Sequence, residues 1–147
     1  MGSLAQIFPA VIAVSALTAG AVGAWRWWTV APSRTFWVLC RTTQGLAIAG
    51  ALVAGVLYLA GFDPADGLYW LYALLPVAVS FVGEQLRLLS AQTVLEARGL
   101  EDAQAVGRLP EEGQRSVVLA IVRREMGVMT LTCLVIAFLA LRALGTA

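Results

Sequence analysis

Polar positions are few and grouped along this chain, and between them lie four apolar stretches close to the length that crosses a bilayer. A hydrocarbon core of about 30 Å needs roughly 20 helical residues. The first stretch, residues 7–24, has no charge and one proline, Pro9, placed near its start where a helix tolerates it. The second is uncharged over 42–62, and the DPADG that follows is a turn signal, so it predicts a tight hairpin into the third. The third span covers 68–83. Its helical pattern continues past Glu84 through EQLRLLSAQTVLEAR and stops at Gly99, a residue suited to ending a helix. Pro76 is expected to kink it.

The fourth stretch has Pro110 at a first-helical-residue position and Glu111 and Glu112 where the helix dipole favours negative charge. Its spanning part, 126–141, is short, so Arg142 is expected to snorkel outward. Together the pattern predicts an all-α membrane protein, a four-transmembrane-helix bundle in a single domain over 1–147. Helices three and four are expected to continue as a cytoplasmic helical hairpin over about 87–125.

The arginines orient this layout. Arg26, Arg34 and Arg41 flank the first connection, and Arg87, Arg98, Arg108, Arg115, Arg123 and Arg124 lie in or beside the third, leaving only Arg142 for the opposite side. The positive-inside rule then puts both termini outside, and the expected setting is a bacterial inner membrane. Trp25, Trp27, Trp28 and Trp37 fall at the inner boundary and Tyr58, Tyr69, Trp70 and Tyr72 at the outer one, as two aromatic belts. The leading MGSLAQ carries no basic residue, so the first span reads as a retained helix and not as a cleaved leader.

Composition agrees and removes several chemistries. Hydrophobic residues make up 60% and charged residues 13%, with a mean hydropathy of +0.82, unlike a water-soluble globule. Histidine is absent and all cations are arginine. This excludes imidazole-based catalysis and His-ligated metals, and equally Schiff-base chemistry and lysine-dependent phosphate loops. A net charge of +1 supplies no field for nucleic acid. Cys40 and Cys133 are far apart and form no CxxC, so they read as two isolated small apolar side chains, with no zinc or dithiol site suggested. No carboxylate pair lies within the spans, and no serine or cysteine has a base beside it; neither an enzyme nor a cofactor is indicated.

Ala16, Gly20 and Ala24 recur at fours on the first helix, as do Ala47, Ala51 and Gly55 on the second with Gly45, Gly50 and Ala54 beside them. This is a small-residue seam that joins these two helices or binds another protein, the internal contact being favoured. The apolar VVLAIV segment at 117–122 is expected to bury on the extended third helix at Val94 and Leu95, in the headgroup layer, or on another subunit.

One polar group is a candidate site. Arg41 and Gln44 start the second helix; Glu84, Gln85 and Arg87 end the membrane part of the third at the same depth. About 16 residues at about 1.5 Å each put Glu84 roughly 24 Å from the outer end, near the inner headgroups and away from the midplane. Arg41, Gln44, Glu84 and Arg87 can be purely structural, Glu84 pairing either with Arg87, three residues on along one helix face, or with Arg41 across the helix pair. Their functional use would be binding a lipid phosphate, quinone headgroup or anionic solute through the arginine fork, with Thr42 and Thr43 nearby. The expected role is a non-catalytic subunit or accessory factor of a larger inner-membrane complex, in contact with membrane lipid and a protein partner or a second copy. The alternatives are a lipid- or quinone-binding protein and an oligomeric small-solute or ion transporter.

Overall fold

The computed structural model describes residues 1–147 and is all-helical. Its elements are α1 (Gly2–Thr29), α2 (Arg34–Leu59), α3 (Leu68–Ala97), the short α4 (Ala103–Gly107) and α5 (Glu111–Thr146). The four long helices form an antiparallel bundle. In it α5 packs extensively on both α1 and α3, α2 lies on α1 and more loosely on α3, and α2 and α5 face each other across the diagonal. All four are long and apolar enough to cross a membrane, with mean hydropathies of 1.3 to 2.1 in their best windows. Val14, Leu52, Leu59, Phe81, Leu131 and Phe138 point outward, each more than 60% exposed. Such a surface favours hydrocarbon over water. The chain is a multi-pass membrane protein.

A heptad rhythm holds the bundle together. The buried residues of α2 are Phe36, Cys40, Thr43, Ala47, Gly50, Ala54 and Leu57, spaced alternately by four and three. On α1 the stripe Ala5, Pro9, Ile12, Ala16, Ala19 and Gly23 repeats the same spacing. An average of 3.5 residues keeps one face turned to its neighbours over many turns, as in left-handed bundles.

That rhythm corrects the expected small-residue seam. Ala24 and Gly55 are exposed, and Ala16 and Gly20 face α5, where Ala16 joins a cluster with Ile136, Ala137 and Ala140 and Gly20 lies under Leu134. Steps of four residues advance 400° around a helix at about 100° each, so a row at fours rotates off the contact face by about 40° per step. The α1–α2 contact uses Gly50, one of the small residues beside that row, against Ile12, and a hydrogen bond between the Ser15 and Thr43 hydroxyls, 2.8 Å.

The helices extend beyond the apolar runs that announce them. Pro9 therefore lies inside α1, where it cannot donate to the Ala5 carbonyl. The Tyr69 hydroxyl donates to that carbonyl at 3.4 Å. Pro76 likewise sits within an unbroken α3. Ser33 caps α2 by accepting the Phe36 amide (3.2 Å), and Asp66 accepts the Leu68 amide (2.9 Å) as α3 begins. Gly61 (φ +76) and Gly99 (φ +67) take the left-handed turns that end α2 and α3. Within the VVLAIV segment Val117 is buried and Val122 packs under Met126 and its neighbours. The Arg98 guanidinium donates to the Ser116 hydroxyl at 2.8 Å, tying the end of α3 to α5, while Val118 of the segment stays 54% exposed.

Candidate functional site at the arginine-rich end

Arg41 and Gln44 stand one turn apart on α2, just outside the buried stripe of Cys40 and Thr43. Opposite them α3 presents Glu84 and Arg87. Gly83 is what lets α3 approach α5 here: any Cβ at that position would strike the Thr132 side chain. With Gly83 turned to α5, its neighbour Glu84 is turned to α2.

The four expected residues come together around one carboxylate. Oε1 of Glu84 accepts from Arg41 Nη1 (2.7 Å) and from Gln44 Nε2 (2.8 Å), and Oε2 accepts from Arg87 Nε (2.9 Å). Arg41 Nη1 also donates to Gln44 Oε1 at 2.8 Å. Both ion pairs read as alternatives from the chain are formed at once. The cluster is graded in exposure: the side chains of Glu84 and Arg87 are 21% and 23% exposed, and that of Arg41 is 53% exposed. Gln85 points away, Thr42 bonds the Val38 carbonyl of its own helix, and Thr43 belongs to the Ser15 contact.

Trp37 is a member of this site that its place in an aromatic belt did not reveal. The Arg87 guanidinium lies over its ring, 5.5 Å from the centroid. The signal is present in the spacing, since Trp37, Arg41 and Gln44 follow one another by four and three on one face of α2. A second such pair stands at the same end of the bundle. Arg123 lies over Trp27 (5.0 Å), and the indole Nε1 of Trp27 sits where a side chain on Gly127 would begin. At the opposite end Tyr58, Phe62, Tyr69 and Trp70 stack edge to face, and Arg142 lies over Tyr72.

Beside Glu84 a shallow groove of about 260 Å³ opens between α2 and α3, lined by Gln44, Ile48, Val77, Ser80, Phe81 and Glu84. The bundle centre is filled: a void of about 10 Å³ near Pro9 and Pro76 has room for about one water. Deeper at the arginine-rich end the structure overturns the reading of two isolated cysteines. Cys40 and Cys133 bring their Sγ atoms to 3.6 Å across the α2–α5 diagonal, both buried.

Compared with protein families, characterised proteins and solved structures, the chain matches none.

Proposed function

We propose that the chain is a non-catalytic subunit or accessory factor of a larger complex in a bacterial inner membrane. The observation that carries this reading is the Glu84 cluster, in which both carboxylate oxygens are engaged by Arg41, Gln44 and Arg87. A carboxylate that accepts three hydrogen bonds from two helices, two of them from guanidinium groups, is a structural tie between α2 and α3. The filled centre supports the same reading, because transport through one chain needs a polar path and ionisable groups along it. On α2, Gly45 and Gly55 face outward with nothing beside them, next to Leu52 and Val56. Small residues among large ones allow a partner helix to approach closely.

In this reading the arginine-rich end is cytoplasmic and both termini are outside. The lengths favour an extension on that side. At about 1.5 Å per residue, the 36 residues of α5 reach about 54 Å and the 30 of α3 about 45 Å, against a hydrocarbon core of about 30 Å. Reporter fusions after Ala147 and before Met1 are expected to be active only outside the cytoplasm. Cytoplasmic activity at either end overturns the orientation.

A second reading is favoured by the exposure of Arg41 beside the groove: its guanidinium keeps donors free for a lipid phosphate or another anionic headgroup. Native mass spectrometry of the gently solubilised protein separates the two. A second polypeptide at fixed ratio supports the subunit reading, and the chain running alone at native abundance contradicts it. An anionic lipid that is retained by the wild type and lost from Arg41→Ala supports the second.

A further inference from the structure

The chain has five sulfur-bearing side chains, and every one except Met1 enters a single buried cluster. Cys40 from α2 meets Cys133 from α5. Met126 and Met129 precede Cys133 on the same face of α5, at spacings of three and four. None of these four side chains is more than 2% exposed, and Ala19, Phe36, Trp27 and Trp37 complete the surroundings.

The spacing of the thiols suits chelation. At the ~2.3 Å metal–sulfur length of a d¹⁰ ion such as zinc, two sulfurs at the tetrahedral angle lie about 3.8 Å apart. Cys40 and Cys133 stand at 3.6 Å already, so one ion can bridge them without moving α2 from α5. The donor set then selects the ion. Thioethers are soft, and thiolate with thioether favours cuprous copper, whereas zinc completes four-coordination with further thiolates or imidazole, which the cluster lacks. Methionine has three rotatable bonds, which allow Met126 and Met129 to turn their sulfurs onto an ion held by the thiols. The cluster lies toward the arginine-rich end of the bundle, Cys40 being the seventh residue of α2 and the neighbour of Arg41.

We propose that Cys40, Cys133, Met126 and Met129 form a binding site for one cuprous ion between α2 and α5. Binding displaces both thiol protons to water, forms two copper–thiolate bonds, and leaves copper at +1, so no electron donor or acceptor is needed. The resulting bis-thiolate centre carries one negative charge, and the guanidinium of Arg41 is the nearest cation in sequence.

The test uses the full chain in detergent, loaded anaerobically with cuprous ion in competition with a chromophoric cuprous chelator. One ion per chain is expected, with an equal concentration of zinc unable to displace it. Cys40→Ser and Cys133→Ser should each weaken binding by more than the roughly 10–100-fold lost when a residue supporting a ligand is removed, and Met126→Leu with Met129→Leu by about tenfold. X-ray absorption of the loaded wild type should give a shell of sulfur alone at ~2.3 Å. That measurement needs no variant and therefore does not depend on how the substituted chains fold. A nitrogen or oxygen shell, binding far below one ion per chain, displacement by equal zinc, or a double methionine variant that binds like the wild type would overturn the proposal.

Discussion

Gly23→Val should cost the bundle about 3 kcal/mol, the upper end of the range for forcing methyl groups into a filled core. Gly23 lies on α1 where it faces both α2 and α5. A Cβ placed there would collide with the Phe36 ring from α2 and the Thr130 hydroxyl from α5. Neither neighbour can retreat easily. Phe36 is fully buried and anchors the start of α2, and Thr130 is held on a helix packed on two sides. The hydroxyl of Thr130 has no hydrogen-bond partner, so pushing it deeper gives it nothing in return. Gly45→Ala and Gly55→Ala make the control, because nothing stands within 4 Å of a Cβ at either position. Both should be as stable as the wild type or up to about 1 kcal/mol more stable, because alanine is the better helix former and meets nothing there. Equilibrium unfolding in mixed detergent micelles measures all three. A Gly23→Val protein as stable as the Gly45→Ala protein would show that α1 does not dock in this way.

The reason Gly23 was not visible in the chain illustrates where reading from sequence stops. Hydropathy is a one-dimensional signal, so four spans, their turns at Gly61 and Gly99, and the gathering of arginine at one end follow from it directly. The shared level of Glu84 with Arg41, Gln44 and Arg87 along the bundle also follows, because helical rise is fixed. Which face of a helix meets which neighbour is a different kind of information. Small residues occur at fours and at threes on α1, and only the 3.5 rhythm shared with α2 distinguishes Ala16, Ala19 and Gly23 from the row ending at Ala24. Rows of both kinds are consistent with close packing, so composition alone does not separate them. Cys40 and Cys133 are 93 residues apart and meet across the diagonal of the bundle, a contact that exists only once the helices have taken their order. Three of its four sulfurs are nonetheless readable together: Met126, Met129 and Cys133 share one helix face by spacing alone.

Removing the carboxylate of Glu84 tests the other end of the same logic. Breaking a fully buried ion pair from one side costs about 3–5 kcal/mol because a charge is left unpaired. Here water reaches all three partners in part, and the expected cost of Glu84→Ala is roughly 2 kcal/mol, discounted for that screening. The two arginines should not be equivalent. Arg87 is less exposed, bonds Oε2 through Nε, and rests on Trp37, so Arg87→Ala loses a hydrogen bond, an ion pair and a ring contact together. Arg41 is more than half exposed, and Arg41→Ala should cost no more than about 1 kcal/mol. Salt should separate them as well: added electrolyte screens an exposed pair far more than a covered one, so the cost of Arg41→Ala should shrink with ionic strength while that of Arg87→Ala persists. Glu84→Gln retains an acceptor for Gln44 and Arg41 but not the charge, and should fall between the wild type and Glu84→Ala. The measurement is again unfolding in mixed micelles, repeated at low and high salt. If Arg41→Ala proved more costly than Arg87→Ala, the tie between α2 and α3 would lie in the exposed pair, contrary to the geometry around Trp37.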